Sequence, residues 1–496
     1  MQAAKVDLYA AFLKSGLLGT GFRIPLMVLP YLGAIQAWLY QPILRFLKVT
    51  PLALRLPALL VGAGSVWMFF ALLERVAGRR AAIAGALLLA TDASFVLATT
   101  FDFSPIALLH FSMLGGILLL LRFDRTQSRK CLALASFLFG LALWHKAVFG
   151  WALAGLAAGA MAAFPGRTLK RLSPATVSIA ALALLRGASP LLYYNLRTKG
   201  DTLRTGRVLV ASTPLSQKAL MLADTLSGSA LFGFLTEESP GGETTPPSGL
   251  LDRASVRLSD AVGNLASGYG SLLACCLLPW LWFTPMRRAA VFAAAYLAVA
   301  WGAMVALPNT GQALHHVILL WPFPHFLIAI ALTQLTGKLG RWGAWALCAA
   351  VLALAASNFL LLNQYYARLV TRGPAAVWTD AIYGLSDYLD GMRGRNIFAV
   401  DWGYAATLRL LSDGQAPVKD ISFALQASQP DAAMIRGLVA DERSVFVGHA
   451  EGSEQFAGVH RRLDEIAAGA GYSRRILAVI DDRNHRPRFE VVRYVK

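Results

Sequence analysis

The chain has 496 residues, of which 56% are hydrophobic and 15% charged, with a formal net charge of +18. Soluble domains carry roughly 25% charged residues, and the apolar excess here lies in blocks long enough to cross a bilayer core of roughly 30 Å. Composition therefore excludes an ordinary soluble protein and predicts a polytopic membrane protein.

Ten spans are predicted in chain order, at 53–74, 81–99, 102–121, 131–148, 150–164, 174–195, 268–284, 289–307, 315–335 and 342–364. The fifth is short, which suits a tilted or partly re-entrant segment. Arginine and lysine concentrate in cytoplasmic loops. Alternate connections hold Arg75, Arg79 and Arg80; Arg122, Arg125, Arg129 and Lys130; Arg167, Lys170 and Arg171; Arg287 and Arg288; Lys338 and Arg341. The short connections on the other side hold only Lys146. This asymmetry sets orientation and parity. It also explains much of the positive charge as topology, so no nucleic-acid partner is expected. Cys131, Cys275, Cys276 and Cys348 fall inside apolar segments and read as buried packing residues rather than a disulfide framework or metal site.

By parity, three regions lie outside the cytoplasm of an inner-membrane protein. Residues 1–50 form a first external loop. Residues 197–266 form a second, within the 51–365 transmembrane core, with Pro, Gly and Thr runs and amphipathic pieces such as PLSQKALMLADTL. Residues 366–496 form a tail of different composition. NIFAVDW, SVFVGH, RRILAVIDD and RFEVVRYV read as short buried strands. GYAATLRLLSD and FAGVHRRLDEIAAGAG read as helices, and DRNHRPR as a turn between the last two strands. The predicted fold class is thus an all-α polytopic bundle of about ten spans with a small C-terminal α/β domain. The N-terminus shows no secretory signal pattern yet lies outside by parity, so one further transmembrane helix is expected upstream.

Polar residues gather at the external span ends. Asp102, in FDFSPIALLHF, stands in the tight turn between the second and third spans. It suits a helix cap, with Pro105 at an early helical position. An ionisable group at membrane depth is equally a site candidate. Asp92, in ATDASF, reads as a cap. Lys146, in ALWHKAVFG, either snorkels to the headgroups or binds a lipid phosphate. His315 and His316 enter the ninth span from outside. An adjacent pair is weak evidence for a metal and suits a phosphate at least as well. The prolines of WPFP should kink that span, and Pro190 and Asn195 in SPLLYYN do something similar at the end of the sixth.

The order and spacing of these segments resemble the GT-C membrane glycosyltransferases. The likeness is to relatives of the dolichyl-phosphate-mannose–protein mannosyltransferases and the lipid A aminoarabinose transferases. PLMVLPYLGAIQAWLYQPILRFL and the following LALRLPALLVGAGSVWMFFALLERVAGRRAAIAGALLLATDASFVL look like the family's first external loop and next two spans, including RLP at Arg55, Leu56 and Pro57. FDFSPIALLHF looks like its second acidic turn, GLALWHKAVF its lysine segment, and HHVILLWPFPHFLIA a later span. The similarity covers about residues 7–365. The chain departs from the family where its principal acid follows the first helix. Asp7, without an acidic neighbour, is the only acid available there; either it serves, or the base belongs to the missing upstream piece.

The resemblance implies inverting transfer of a sugar from a polyprenyl-phosphate donor to an extracytoplasmic acceptor, whether lipid, glycan or protein. Asp7 and Asp102 would be the catalytic carboxylates. Lys146, His315 and His316 would bind the donor phosphate, leaving a metal optional and no cofactor required. Tyr31, Arg55 and Asn195 would line the substrate. Tyr31, Trp38 and Tyr40 could stack on a sugar or form an interfacial aromatic belt. Two rivals stand beside this. A flippase for a lipid-linked sugar would place polar residues near the midplane, often within repeats. An assembly subunit would use the tail to bind a partner.

Overall fold

A computed structural model describes residues 26–47, 50–101, 106–208, 213–238, 244–263, 275–307, 310–392, 394–412, 416, 418–426 and 431–496. A short hairpin, β1 (Met27–Leu29) and β2 (Leu32–Gly33), leads into helix α1 (Ile35–Phe46). The helical core continues with α2 (Pro51–Ala77), α3 (Arg79–Thr91), α4 (Ala93–Thr100), α5 (Ala107–Thr126), α6 (Arg129–His145), α7 (Phe149–Ala163), α8 (Pro165–Arg171), α9 (Pro174–Gly187) and α10 (Ser189–Thr198). Residues 197–266 contribute α11 (Asp201–Val208), α12 (Leu215–Ser227) and α13 (Leu250–Val262). Then come α14 (Arg287–Ala306), α15 (Leu314–Val317), α16 (Phe323–Thr336) and α17 (Gly343–Thr371).

Among the described residues, four helices are long and apolar enough to cross a membrane, and seven if each of three sharply bent pairs counts as one span. The predicted spans map onto these elements with physical differences. The second is broken by 58° between α3 and α4 and the sixth by 69° between α9 and α10, while the fifth ends at a 115° bend between α7 and α8. Gly78 at φ 86°, a conformation that favours glycine, separates α2 from α3. Pro174 and Pro190 each open a helix, where a missing N–H costs nothing. Of the predicted seventh span only 275–284 is described, largely as 3₁₀ turns at Leu278–Phe283. The last helix runs to Thr371, past the expected start of the tail. Cys276 and Cys348 are exposed on the bundle surface rather than buried, and all four thiols are free.

Small residues let the helices meet backbone to backbone. A Cβ on Gly140 of α6 would lie 2.1 Å from Leu184 O of α9, and one on Gly187 2.3 Å from Phe137 O. Such contacts favour dispersion between helices that gain no hydrophobic drive from lipid.

The tail is an α/β unit. Its strands are β3 (Asn396–Ala399), β4 (Val418–Asp420), β5 (Ser444–His449), β6 (Ser473–Asp481) and β7 (Pro487–Val495). Their spatial order is β4-β3-β5-β7-β6; β3 runs parallel to β4 and β5, and β7 antiparallel to β5 and β6. The four strands read from sequence are present. β4, only three residues long, escaped that reading. Helices α18 (Ala381–Asp390), α19 (Ala405–Leu411), α20 (Ser422–Gln426), α21 (Ala432–Ala440) and α22 (Val459–Ala468) flank the sheet, which buries separate apolar clusters on its two faces.

The DRNHRPR turn is more than a connection, because it docks the tail on the core. Arg488 Nη2 donates to Glu237 Oε2 at 2.6 Å, and its Nε to Asp482 Oδ2 at 2.8 Å. Arg486 Nε donates to the same Asp482 oxygen at 2.9 Å. Asn484 donates to Thr245 Oγ1 at 2.7 Å and to Thr371 O at 3.1 Å. Arg483 and Arg486 donate to the carbonyls of Leu369 and Arg372 at the end of α17. Although burial alone would raise it, the Asp482 carboxyl is held below the usual range by Arg488, by the backbone amides of Arg486 and Asn484, and by the Arg486 charge.

Candidate functional site

Lys146 is placed by a turn and a hairpin. α6 ends at His145, and Lys146 turns extended (φ −153°, ψ 114°) while its N–H caps the helix on Ala142 O. The hairpin lies across this turn. Leu32 pairs with Lys146 in an antiparallel bridge, Ala147 N donates to Tyr31 O at 2.9 Å, and Trp144 Nε1 donates to Leu26 O at 2.8 Å. Gly33 permits the approach, since a Cβ there would sit 2.2 Å from Trp144 O. Lys146 is consequently 0% exposed. It does not snorkel. Its Nζ points inward and lies 3.4 Å from His315 O.

The histidine pair stands on α15, a single turn. The two rings are 4.2 Å apart, and His316 meets Trp151 edge-on at 6.0 Å. His316 Nδ1 is buried without a hydrogen-bond partner. A fourth basic group, which the sequence did not single out, comes from α12. Lys218 is 2% exposed, and its Nζ donates to Val305 O at 3.1 Å and Leu307 O at 2.7 Å. These carbonyls cap α14, where the helix dipole favours a cation. Burial lowers the pKa of Lys218 from its ordinary value. The charge of Lys146 acts on both imidazoles, and that of Lys218 on His316. The amphipathic pattern of PLSQKALMLADTL was visible in the sequence, but nothing there singled out its lysine. Only the fold turns it inward.

The segment bearing the histidines is broken, as WPFP predicted. α15 passes into a 3₁₀ turn at Ile318–Leu320 and then into α16. Irregular backbone inside a bilayer persists only where the protein satisfies it. Here His110 Nε2 lies 2.8 Å from Ile318 O, and Tyr296 OH donates to Leu319 O at 2.7 Å. Below them Asp92 takes the capping role read from sequence, accepting from Phe95 N at 2.7 Å. The same Oδ1 accepts from Trp321 Nε1 at 3.1 Å, and Oδ2 lies 3.3 Å from His325 Nε2.

The remaining candidates are distributed as follows. Asp7 and Asp102 lie outside the described residues. Tyr31 is partly exposed and adjoins Lys146 through its backbone. Arg55 is exposed, with its guanidinium 4.6 Å from the Phe101 ring centre. Asn195 stands apart from the cluster in its bonding. Its amide donates to Leu191 O and Thr202 Oγ1 and accepts from Thr202 N, closing the α10–α11 turn. Trp38 packs against Trp144 at 4.8 Å, and Tyr40 OH donates to Leu54 O at 2.5 Å. Among the described residues no three His, Cys, Asp or Glu side chains are grouped to hold a metal.

Lys146 thus lies against the histidine turn, and the charge of buried Lys218 reaches His316. Lys218 has no carboxylate partner among the described residues, and a buried charge is costly unless it is compensated. The arrangement favours an anion.

Residues 33–194 match the family described as dolichyl-phosphate-mannose-protein mannosyltransferase. ArnT from Cupriavidus metallidurans in the apo state superposes with a TM-score of 0.63 at 12% identity, covering 99% of this chain and 92% of that one. The same protein bound to undecaprenyl phosphate gives 0.60 at 13% identity, with the same coverage. No curated protein matches the chain. At this identity the structural likeness speaks for the fold alone. The chain has the GT-C fold, as its sequence resemblance implies. The small tail sheet belongs to that architecture.

Proposed function

We propose that this chain is an integral-membrane inverting glycosyltransferase that moves a sugar from a polyprenyl-phosphate donor to an extracytoplasmic acceptor. The observation that carries the reading is the wholly buried Lys146 facing the His315–His316 turn, with Lys218 beside it. Undecaprenyl phosphate bound to ArnT, a protein of the same fold, supports the lipid class.

In this reading Lys146 and Lys218 hold the donor phosphate, and His315 and His316 complete its cradle. A carboxylate, Asp7 or Asp102, takes the acceptor hydroxyl proton as the acceptor oxygen attacks the anomeric carbon from the face opposite the phosphate. The new carbon–oxygen bond forms while the bond to the phosphate oxygen breaks, and polyprenyl phosphate leaves with the electron pair. The cations stabilise the charge that grows on this leaving group. Tyr31 and Arg55 border the sugar. The protein lies in the inner membrane with 366–496 outside.

One observation favours the transporter alternative: Asp92 and His325 are buried within the helical core, where transporters keep ionisable groups. The test uses membranes containing the chain and labelled polyprenyl-phosphate sugars. Label should enter an acceptor fraction with wild type and fall at least about 10²-fold with Lys146→Ala, the scale of losing one preorganised stabiliser. Label that crosses the membrane on its original lipid, with none transferred, would establish the transporter instead.

A further inference from the structure

Among the broken spans, the second and the ninth have breaks that face each other. One lies at Asp92, between α3 and α4; the other runs from Ile318 to Pro322, between α15 and α16. A single carboxylate joins them. Asp92 is 2% exposed, and its two oxygens meet three groups: Phe95 N across its own break, and Trp321 Nε1 and His325 Nε2 across the opposite one. Trp321 is 0% and His325 2% exposed. Capping α4 requires only the first of these contacts. The other two are made to residues more than 200 positions away in the chain.

We propose that Asp92, acting through Trp321 and His325, is a positioning residue that sets the His315–His316 turn at the height where Lys146 can share an anion with it. The proposal rests on the phosphate-binding reading above and adds what fixes the geometry of that site. His315 and His316 begin a segment with no regular helix to hold it, because α15 has only four residues. Its position is fixed by side chains from other elements at intervals along it. Lys146 reaches His315 O, His110 lies on Ile318 O, Tyr296 reaches Leu319 O, and Asp92 holds Trp321. The first three contact carbonyls. Asp92 instead grips a side chain, and such a tie resists rotation of the segment about its own axis as well as sliding. Residues 317–320 alone separate His316 from Trp321, a stretch short enough to transmit that constraint. In a bilayer no water replaces a lost partner, so the segment would move to satisfy Trp321 elsewhere.

The test uses the full chain in detergent, with undecaprenyl phosphate and undecaprenol as probes and diethylpyrocarbonate labelling of His315 and His316 as an independent readout. Trp321→Phe keeps an aromatic ring, smaller than the indole, and removes the donor; Asp92→Ala removes the acceptor; Asp92→Asn keeps an oxygen for Phe95 and Trp321. Trp321→Phe and Asp92→Ala should each weaken undecaprenyl phosphate binding about tenfold, or about 1.4 kcal/mol, and leave undecaprenol binding unchanged. Both should speed labelling of the histidines several-fold, and Asp92→Asn should recover most of each effect. A purely structural cap would lower the melting temperature of Asp92→Ala without altering the preference for phosphate over alcohol, or the labelling in Trp321→Phe. That pattern overturns the proposal. If wild type shows no preference for the phosphate, the phosphate-binding reading fails, while the labelling rates still decide whether Asp92 positions the turn. Should Asp92→Ala not fold, Trp321→Phe carries the test alone.

Discussion

Glu237→Ala probes how the tail is fastened to the helical core. Glu237 receives Arg488 at 2.6 Å and lies 3.8 Å from Arg486, with its side chain 11% exposed and that of Arg488 6%. The substitution leaves two buried guanidinium groups with Asp482 as their remaining carboxylate. Breaking a buried pair by removing one partner costs about 3–5 kcal/mol. Because Asp482 still faces Arg488, the lower end applies, and about 3 kcal/mol corresponds to roughly 10²-fold more opening of the joint. Hydrogen exchange can read this at the joint itself. The amides of Glu237 and Ala375 donate to Gly373 O and Leu235 O, and both should exchange roughly 10²-fold faster. Amides within β5, such as Val447, should be unaffected. Arg488→Ala alone and with Glu237→Ala completes a double-mutant cycle. Unchanged exchange at Glu237 and Ala375, or a coupling energy near zero, would refute the view that this network holds the tail.

Three further outcomes follow from the same contacts. Gly140→Ala should destabilise the bundle by about 1–3 kcal/mol, measured as a lower melting temperature, because its methyl would meet Leu184 O and force α6 from α9. Tyr365→Phe should cost about 1–3 kcal/mol, since Tyr365 OH donates to Gly228 O at 2.7 Å and accepts from Leu231 N at 3.1 Å in a buried setting; exchange at Leu231 would report the loss. Acid should loosen the tail in two steps. His460 is held below its ordinary value of 6.5, first by burial, so the unfolded chain takes a proton more readily and stability falls as pH drops through 6.5. Asp401 and Asp482 are also held below 3.8, so their contribution is full above that value and is lost as pH falls through their folded pKa values. His460→Gln should abolish the first step in a pH series of melting curves while leaving the second.

What could be read directly from the residues was whatever repeats along the chain. Apolar blocks marked the helices, short apolar runs marked β3, β5, β6 and β7, and the order of the span-end motifs marked the GT-C fold. Lys146 and the His315–His316 pair stood out because a charge at a span end is conspicuous. Lys218 did not, since an amphipathic helix in a long loop between spans gives no sign that the surrounding fold will bury its lysine. Asp92 could be recognised as a cap because Phe95 is three residues away, whereas Trp321 and His325 are joined to it only in space. DRNHRPR announced a turn through its composition. Its partners, Glu237, Thr245 and the end of α17, are contributed by separate parts of the chain and become neighbours only when the bundle has assembled.

The strand order of the tail has a consequence for biogenesis. β7 is the last strand in sequence, yet it sits between β5 and β6. While residues 487–495 are still being made, β5 presents an unpaired edge of wholly buried type, SVFVGH, and β6 has nothing to join it to the rest. Unpaired apolar edges recruit whatever strand arrives first. A nascent chain stalled before residue 487 therefore carries an aggregation-prone half-sheet, and its safe interval is set by how quickly the final strand is delivered.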